Sequence, residues 1–458
     1  MDNHRLSVFQ KITRTFFRRS LYNSGLIVLY YKMQEHMFAL CGGIIMSDII
    51  LHSDLNCFYA SVEMNENPQL RGKAIAVCGS TEDRHGIVLT ASYPAKRMGV
   101  KTGSANWQAK QACPGLICVP PHYDLYLKYS RTVRRIYADY TDTIEPFGMD
   151  ENWLSIPYGG GDVEGFGLTL ANEIRQRVRE ETGLTVSIGV SFSKIFAKLG
   201  SDMKKPDAVT TISKEHYREK VWPLPVSELL YVGRATTRRL VNMNIHTIGD
   251  LANCDPELLR RWLGVNGIML WRFANGEDHS PVMPKGYVSP IKSVGHGTTC
   301  VTDLDSEYAV WRVLYELAQD VQHRLRKHEL AAQGVQITVK DNDLDYRQYQ
   351  VPLPFPTQSP LDLASAGFDL FRQRYMWHKP VRALTIRGIN LIPINQPLQL
   401  DIFNDAERRE KRRALDNAVD DLRSRFGYRT LCAASLLGEN KLAQDKCETV
   451  LMPGMMYR

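Results

Sequence analysis

Leu184-Thr185-Val186-Ser187-Ile188-Gly189-Val190-Ser191 alternates apolar with small polar residues. A period of two puts Leu184, Val186, Ile188 and Val190 on one side of an extended chain, so the stretch reads as a β-strand with one buried face. Gly183 ends the segment before it. From Val163 to Thr182, Leu170, Ile174 and Val178 recur every four residues, the spacing of one helix face. Gly159-Gly160-Gly161 breaks the chain ahead of that helix. Thr141 to Ile156 reads as strand, tight turn, strand, with Asp150-Glu151 at or near the turn. Asp48 to Leu51 is a short apolar run ending in Ser53-Asp54 and reads as a buried strand. Strand, hairpin, helix and strand in this order predict an α+β sheet with its helices on one face. Ala74 to Cys78 and Gly86 to Ala91 add two short strands around a polar turn.

The character changes after about Trp222. Short helical segments alternate with turns at Gly233, Gly249, Gly264 and Gly267. Asn275 to Pro290 is rich in Gly, Pro and polar residues and reads as a linker. From Ile291 to Ile394 strands and helices alternate again, with helices over Ser306 to about His328 and around Leu361 to Arg374, which predicts a second α+β domain. The tail after Gln399 is strongly charged, with Leu415, Val419, Leu422 and Phe426 on one helical face.

Composition sets limits. The chain has 458 residues, 44% hydrophobic and 23% charged, which argues against a disordered, collagenous or membrane-spanning protein. At roughly 100–200 residues per domain, three or four domains are expected. Lys plus Arg is 57 against 50 Asp plus Glu, a net charge of +7 that permits a polyanionic partner without requiring one. Nine cysteines are too sparse for a disulfide scaffold, and Cys113 and Cys118 lack a second pair at zinc-ligand spacing, so reduced cysteines and a cytosolic setting are expected. Met1 to about Cys41 carries Arg5, Lys11, Arg14, Arg18, Arg19 and Lys32 against Asp2 and Glu35, so over half of the net charge falls there. Its apolar run Leu26 to Tyr31 is too short for a membrane span, and no small-residue cleavage site follows Arg18-Arg19. Residues 1–45 are expected as a poorly ordered extension, with Met46 as a possible natural start.

Three carboxylates stand out: Asp54 at a strand end, and Asp150 and Glu151 on a hairpin. If the sheet brings them together they repel one another unless cations neutralise them. Hard oxygen ligands suit Mg²⁺, and two such ions about 3.5–4 Å apart activate an attacking hydroxyl and stabilise a leaving pyrophosphate. Taken alone the pattern is weak, since an acid at a strand end or in a turn is usually just solvated.

The surrounding residues carry more. Asp54-Leu55-Asn56-Cys57-Phe58-Tyr59-Ala60-Ser61-Val62-Glu63 resembles the opening motif of the Y-family translesion DNA polymerases. Met149-Asp150-Glu151-Asn152-Trp153-Leu154 resembles their second carboxylate motif. Ser187 to Lys198, followed by Ser201-Asp202-Met203-Lys204-Lys205-Pro206, resembles their third. The resemblance spans roughly Met46 to Phe403. Asn56 stands where many members have Asp, and Asn152 and Trp153 where Ala and Phe or Tyr are common. These departures bear on pocket shape and leave the three carboxylates intact.

The resemblance implies an α+β, multidomain right-hand polymerase with a ferredoxin-like palm, small fingers, a helical helix-hairpin-helix thumb and an α+β little finger. Its expected bounds are 46–57 for the first palm strand, 58–121 for the fingers, 122–221 for the catalytic palm and 222–280 for the thumb. A linker at 281–290, the little finger at 291–396 and a charged tail at 397–458 follow. Asp54, Asp150 and Glu151 are implied as catalytic metal ligands, with the Leu55 carbonyl completing the coordination of two Mg²⁺ ions, Mn²⁺ being a possible substitute. Tyr59 is implied as a steric gate against a ribose 2′-hydroxyl. Phe58, whose ring reads as packing, is grouped with Tyr93, Lys96, Arg97 and Lys205 as nucleotide-binding. Many relatives have Arg then Lys where this chain has Lys96 then Arg97, and Lys offers a point charge in place of a fork.

Leu230-Tyr231-Val232-Gly233-Arg234-Ala235 resembles a helix-hairpin-helix, where a Gly turn and a helix N-terminus approach a phosphate. Gly233, Arg234, Arg238, Arg239 and Lys292 are the expected DNA contacts, and Gly264-Val265-Asn266-Gly267 is either a second copy or a packing corner. Gln399-Leu400-Asp401-Ile402-Phe403 resembles the peptide by which bacterial polymerases dock into a sliding clamp, with Gln399, Leu400, Ile402 and Phe403 as anchors. The implied partners are primer-template DNA, deoxynucleoside triphosphates and the clamp, and the expected setting is a cytoplasmic, nucleoid-associated monomer. The implied activity is error-prone template-directed synthesis without proofreading. The rival readings are another palm-type nucleotidyl enzyme, such as a nucleotide cyclase, and a DNA-binding scaffold without chemistry.

Overall fold

The computed structural model describes residues 47–82, 84, 86–158, 163–396 and 406–437. The N-terminal extension at 1–45 and the docking residues Gln399, Leu400, Ile402 and Phe403 lie outside the described residues. Along the chain the elements run β1 (Ser47–Leu55), α1 (Phe58–Glu66), β2 (Ile75–Cys78), β3 (Val88–Ala91), α2 (Tyr93–Arg97), α3 (Asn106–Ala112), β4 (Ile117–Val119), α4 (Tyr123–Ala138), β5 (Ile144–Pro146), β6 (Glu151–Tyr158), α5 (Val163–Thr182), β7 (Val186–Ser191), α6 (Lys194–Met203) and β8 (Val209–Ile212). Then come α7 (Tyr217–Val221), α8 (Arg234–Asn242), α9 (Ile248–Ala252), α10 (Pro256–Leu263), α11 (Val265–Ala274), β9 (Ser293–Leu304), α12 (Glu307–Lys327), β10 (Leu330–Asp341), β11 (Tyr346–Thr357), α13 (Pro360–Arg374), β12 (Val381–Pro393) and α14 (Ala406–Phe426). They form two compact units, residues 47–71 with 122–287, and residues 72–121 with 288–437.

The first unit is built on a five-stranded sheet in the order β5-β6-β1-β7-β8. β1 sits at its centre, antiparallel to both β6 and β7. Helix α5 lies on the face that carries Ile49 and Val190. Gly167 permits this, since a Cβ there would meet Val190 Cγ1 at 2.6 Å. Helix α6 lies on the opposite face, where a Cβ on Gly189 would fall 1.9 Å from the Ala197 carbonyl oxygen. The expectation of helices on one face is thereby corrected. So is the reading of one buried face for the 184–191 strand: every residue of β7 is buried. Ser187, Gly189 and Ser191 look like a solvent-facing side in sequence, but their small size is what lets a helix backbone close over them.

Helices α8 to α11 form a separate apolar core with Phe196, Tyr217, Leu240, Ile248, Leu251 and Leu259. Thr247 and Asp250 close a capping box at the start of α9. The expected hairpin does precede α8, with Gly233 as its N-cap, but its leading helix is reduced to one 3₁₀ turn at Val226–Glu228. Gly264, at φ +66°, joins α10 to α11.

The second unit holds two sheets. A three-stranded one, β3-β2-β4, packs with α2 and α3 over a small core that includes Ala76, Val88, Ala95 and Ala109. A four-stranded antiparallel one, β11-β10-β12-β9, has α12 and α13 on one face and Val335, Ile337, Leu384 and Ile386 beneath them. Helix α14 is tied to α12 through His323 and Arg326, which pair with Asp420 and Asp421. Of the tail's apolar stripe, Leu415, Leu422 and Phe426 stay exposed.

Candidate active site

The end of β1 organises the site. Asp54 faces Glu151 directly across the antiparallel pair, so both side chains project from the same face of the sheet. That face is the one covered by α6. Asp150 closes the β5–β6 bend one residue earlier, and its carbonyl accepts the Leu55 amide at 3.0 Å. Three of the expected residues are thus held at one strand end, with Leu55 buried between them.

Two lysines from the α6 segment meet this acidic end. Lys205 Nζ donates to Asp54 Oδ2 at 2.7 Å, and Lys198 Nζ donates to Glu151 Oε1 at 3.0 Å while lying 3.6 Å from Asp54 Oδ2. Asp202 receives both lysines, at 3.0 and 2.9 Å. Lys205 was expected here; Lys198 and Asp202 were not singled out, although both stand in the third motif. Their i, i+4 spacing on a helix was the available signal. Asn56 anchors the loop that carries Lys205: its Oδ1 accepts the Asp207 amide at 2.8 Å and its Nδ2 donates to Ser187 Oγ at 3.0 Å.

Burial dominates the electrostatics. Removal from water, with Glu151 nearby, pushes Asp54 up to about 7 and Asp150 up to about 6. Burial also acts on Glu151, yet the Lys198 ammonium beside it holds it well below the usual carboxylate range. His52 is fully buried and its own value is lowered to about 4 by burial, so the ring is neutral. Its Nδ1 lies 2.8 Å from Ser201 Oγ, and its Nε2 faces Glu151 Oε2 at 3.6 Å, too far for a hydrogen bond.

The donor set fits a divalent cation. It consists of hard oxygens with more negative charge than the two lysines cancel. Among the described residues no trio of His, Cys, Asp or Glu is drawn together tightly enough to hold an ion, and the Lys198 and Lys205 ammonium groups sit against Asp54 and Glu151.

Tyr59 lies in the first turn of α1, stacked on Tyr126 with ring centroids 4.2 Å apart. Burial and the Asp150 charge raise its phenol above the ordinary range, which sets it beside the acidic end. Phe58 is 2% exposed and packs on Tyr59 and Tyr126, so it offers packing and no surface to a nucleotide. Trp153 likewise supports rather than lines the pocket: it is buried, its Nε1 donates to the Lys194 carbonyl, and Lys194 Nζ sits 4.5 Å over its ring. Asn152 is buried on the other side of the sheet, opposite Ser53. Within the second unit, Tyr93 opens α2 and the Lys96 ammonium lies 5.4 Å over its ring. Lys96 and Arg97 are both exposed, as are Arg234, Arg238 and Arg239 on α8 and Lys292 just before β9.

Paired carboxylates, a lysine poised at a strand end and an aromatic beside them define a nucleotidyl-transfer palm. The sequence profile of the impB/mucB/samB family matches residues 53–202, that of its C-terminal domain matches residues 291–402, and that of the DNA polymerase-iota thumb domain matches residues 228–278. A solved Y-family DNA polymerase chimera of Dbh and Dpo4 superposes with a TM-score of 0.66 at 25% identity, covering 75% of this chain and 99% of that one. The chain belongs to the Y-family of DNA polymerases, and its class of activity is DNA-directed DNA synthesis. Among its relatives, DNA polymerase IV of Acetivibrio thermocellus is 47% identical over 397 residues, 87% of this chain and 99% of that protein. DNA polymerase IV 1 of Bacillus subtilis is 38% identical over 390 residues, covering 84% and 92%. No helix among the described residues is long and apolar enough to cross a membrane.

Proposed function

We propose that the chain is an error-prone polymerase of translesion synthesis, adding deoxynucleotides to a primer 3′ end by two-metal phosphoryl transfer without proofreading. The observation that carries this is the placement of Asp54 and Glu151 on one sheet face, opposite each other, with Asp150 adjacent and lysines on both. Asp54, Asp150, Glu151 and the Leu55 carbonyl would hold two Mg²⁺ ions, or Mn²⁺, which would supply activation of the primer hydroxyl and neutralisation of the leaving pyrophosphate. Lys205 transfers its hydrogen bond from Asp54 to the β- and γ-phosphates as the nucleotide binds. Tyr59 closes the space of a 2′-hydroxyl. Tyr93, Lys96 and Arg97 hold the triphosphate from the fingers. Gly233, Arg234, Arg238, Arg239 and Lys292 hold DNA backbone without reading its bases. Residues 399–403 dock to a sliding clamp, and the protein works as a monomer on cytoplasmic DNA.

Primer extension with Mg²⁺ and deoxynucleotides tests the reading. The wild type is expected to extend the primer. Asp150→Ala is expected to bind primer-template as the wild type does and to extend nothing. A wild type that binds DNA and never extends it is the scaffold instead.

A further inference from the structure

Glu63 is a carboxylate only 5% exposed, with no lysine or arginine against it among the described residues. A buried carboxyl group of that kind is tolerated only where hydrogen bonds replace water. Two converge on its Oε1: the Tyr126 hydroxyl donates at 2.5 Å, and His122 Nδ1 lies at 2.9 Å. One turn further along both helices, the Tyr129 hydroxyl donates to Glu66 Oε1 at 2.9 Å. Helices α1 and α4 are therefore laced by two tyrosine–glutamate rungs, 63 with 126 and 66 with 129, three residues apart on each side.

The upper rung acts on a ring that matters. Tyr126 is fully buried, and its ring lies parallel to that of Tyr59, with 10° between the planes. Tyr123 meets both rings edge-on, at 6.0 and 5.8 Å. Tyr59 can yield to a bulkier sugar in one way that this packing controls, by moving toward Tyr126. Tyr126 is packed by Phe58 and Tyr123, and its hydroxyl is further fixed in place by Glu63. A steric gate discriminates only as sharply as its backing is stiff, since a shift well under 1 Å admits an extra oxygen.

We propose that Glu63 is a positioning residue for sugar selection: through the Tyr126 hydroxyl it stiffens the stack behind Tyr59, and so sets how strongly ribonucleotides are refused. The inference rests on Tyr59 being the gate. His122, half exposed, is the second hand on the carboxylate.

The test is the discrimination ratio, kcat/KM for a deoxynucleotide divided by kcat/KM for the matching ribonucleotide, in single-nucleotide primer extension. Loss of folded enzyme lowers both terms equally and leaves the ratio alone, so a merely structural role of Glu63 does not move it. Glu63→Ala and Tyr126→Phe are each expected to lower the ratio about ten-fold, the scale set by losing one hydrogen bond to a charged group. Glu63→Gln, which still accepts from Tyr126, is expected to keep most of it. Tyr59→Ala is the reference and is expected to lower the ratio furthest. Tyr126→Phe preserves the stacked ring and decides the matter if Glu63→Ala fails to fold. A ratio within about two-fold of wild type in Tyr126→Phe, alongside a collapsed ratio in Tyr59→Ala, overturns the role of Glu63 and leaves the gate standing. An unchanged ratio in Tyr59→Ala overturns both.

Discussion

The two large sheets, one mixed because β7 and β8 run parallel and the other antiparallel throughout, carry different surface chemistry. At the end of β1 the polar groups are charged, paired and covered: Asp54 and Lys198 are each under 10% exposed. On the open face of the β9–β12 sheet amides stand beside the basic Lys340 and Arg387, and Gln348, Gln350 and Arg387 are exposed. There Gln348 donates to Gln336 Oε1 at 2.8 Å, and Gln336 donates to Gln350 Oε1 at 3.2 Å, in a ladder of amides without a carboxylate. Covered charges are worth much to each other because little water screens them, and they tolerate few arrangements. Exposed amides are each worth little and adapt to whatever lies on them. The first chemistry suits a reaction centre. The second suits a surface that can adapt.

The contrast is breakable by substitution. Asp150→Ala should cost the most, lowering primer extension by at least about 10³-fold, because the loss falls on transition-state charge stabilisation worth several kcal/mol. A gel assay of extension beside an anisotropy assay of DNA binding separates the two effects. Gly189→Ala should be the most damaging change that removes nothing: the new Cβ meets backbone oxygen at 1.9 Å, and overpacking of this kind costs about 3 kcal/mol, read as a drop in urea midpoint. Lys205→Ala should raise the KM for deoxynucleotide by about ten-fold or more, since it removes a charge-assisted contact and frees Asp54, as steady-state kinetics will report. Gln348→Ala on the open amide ladder should change stability by less than about 0.5 kcal/mol. A large effect there, or a small one at Gly189, would dissolve the comparison.

Much of this was legible in the residues themselves. The helix over Val163–Thr182 and the strand around Val186–Ser191 followed from periodicity, and the helices expected over Ser306 to about His328 and around Leu361 to Arg374 lie at Glu307–Lys327 and Pro360–Arg374. What was not legible has a common cause. Ser187, Gly189 and Ser191 were read as a wet face because polarity and small size look alike in a sequence, while only the tertiary fold says which one counts. The carboxylates announced themselves by their motifs, but the pairing of Glu151 with Lys198 joins residues about fifty positions apart in different elements. Glu63 sits in a helix whose sequence shows no reason for a buried acid, and its partners, His122 and Tyr126, come from a helix start some sixty residues on.

The cluster at the end of β1 also has an arithmetic of its own. Four carboxylates, Asp54, Asp150, Glu151 and Asp202, share two ammonium groups, Lys198 and Lys205. The deficit gives this end of the sheet a negative bias, which draws cations in and opposes bare anions.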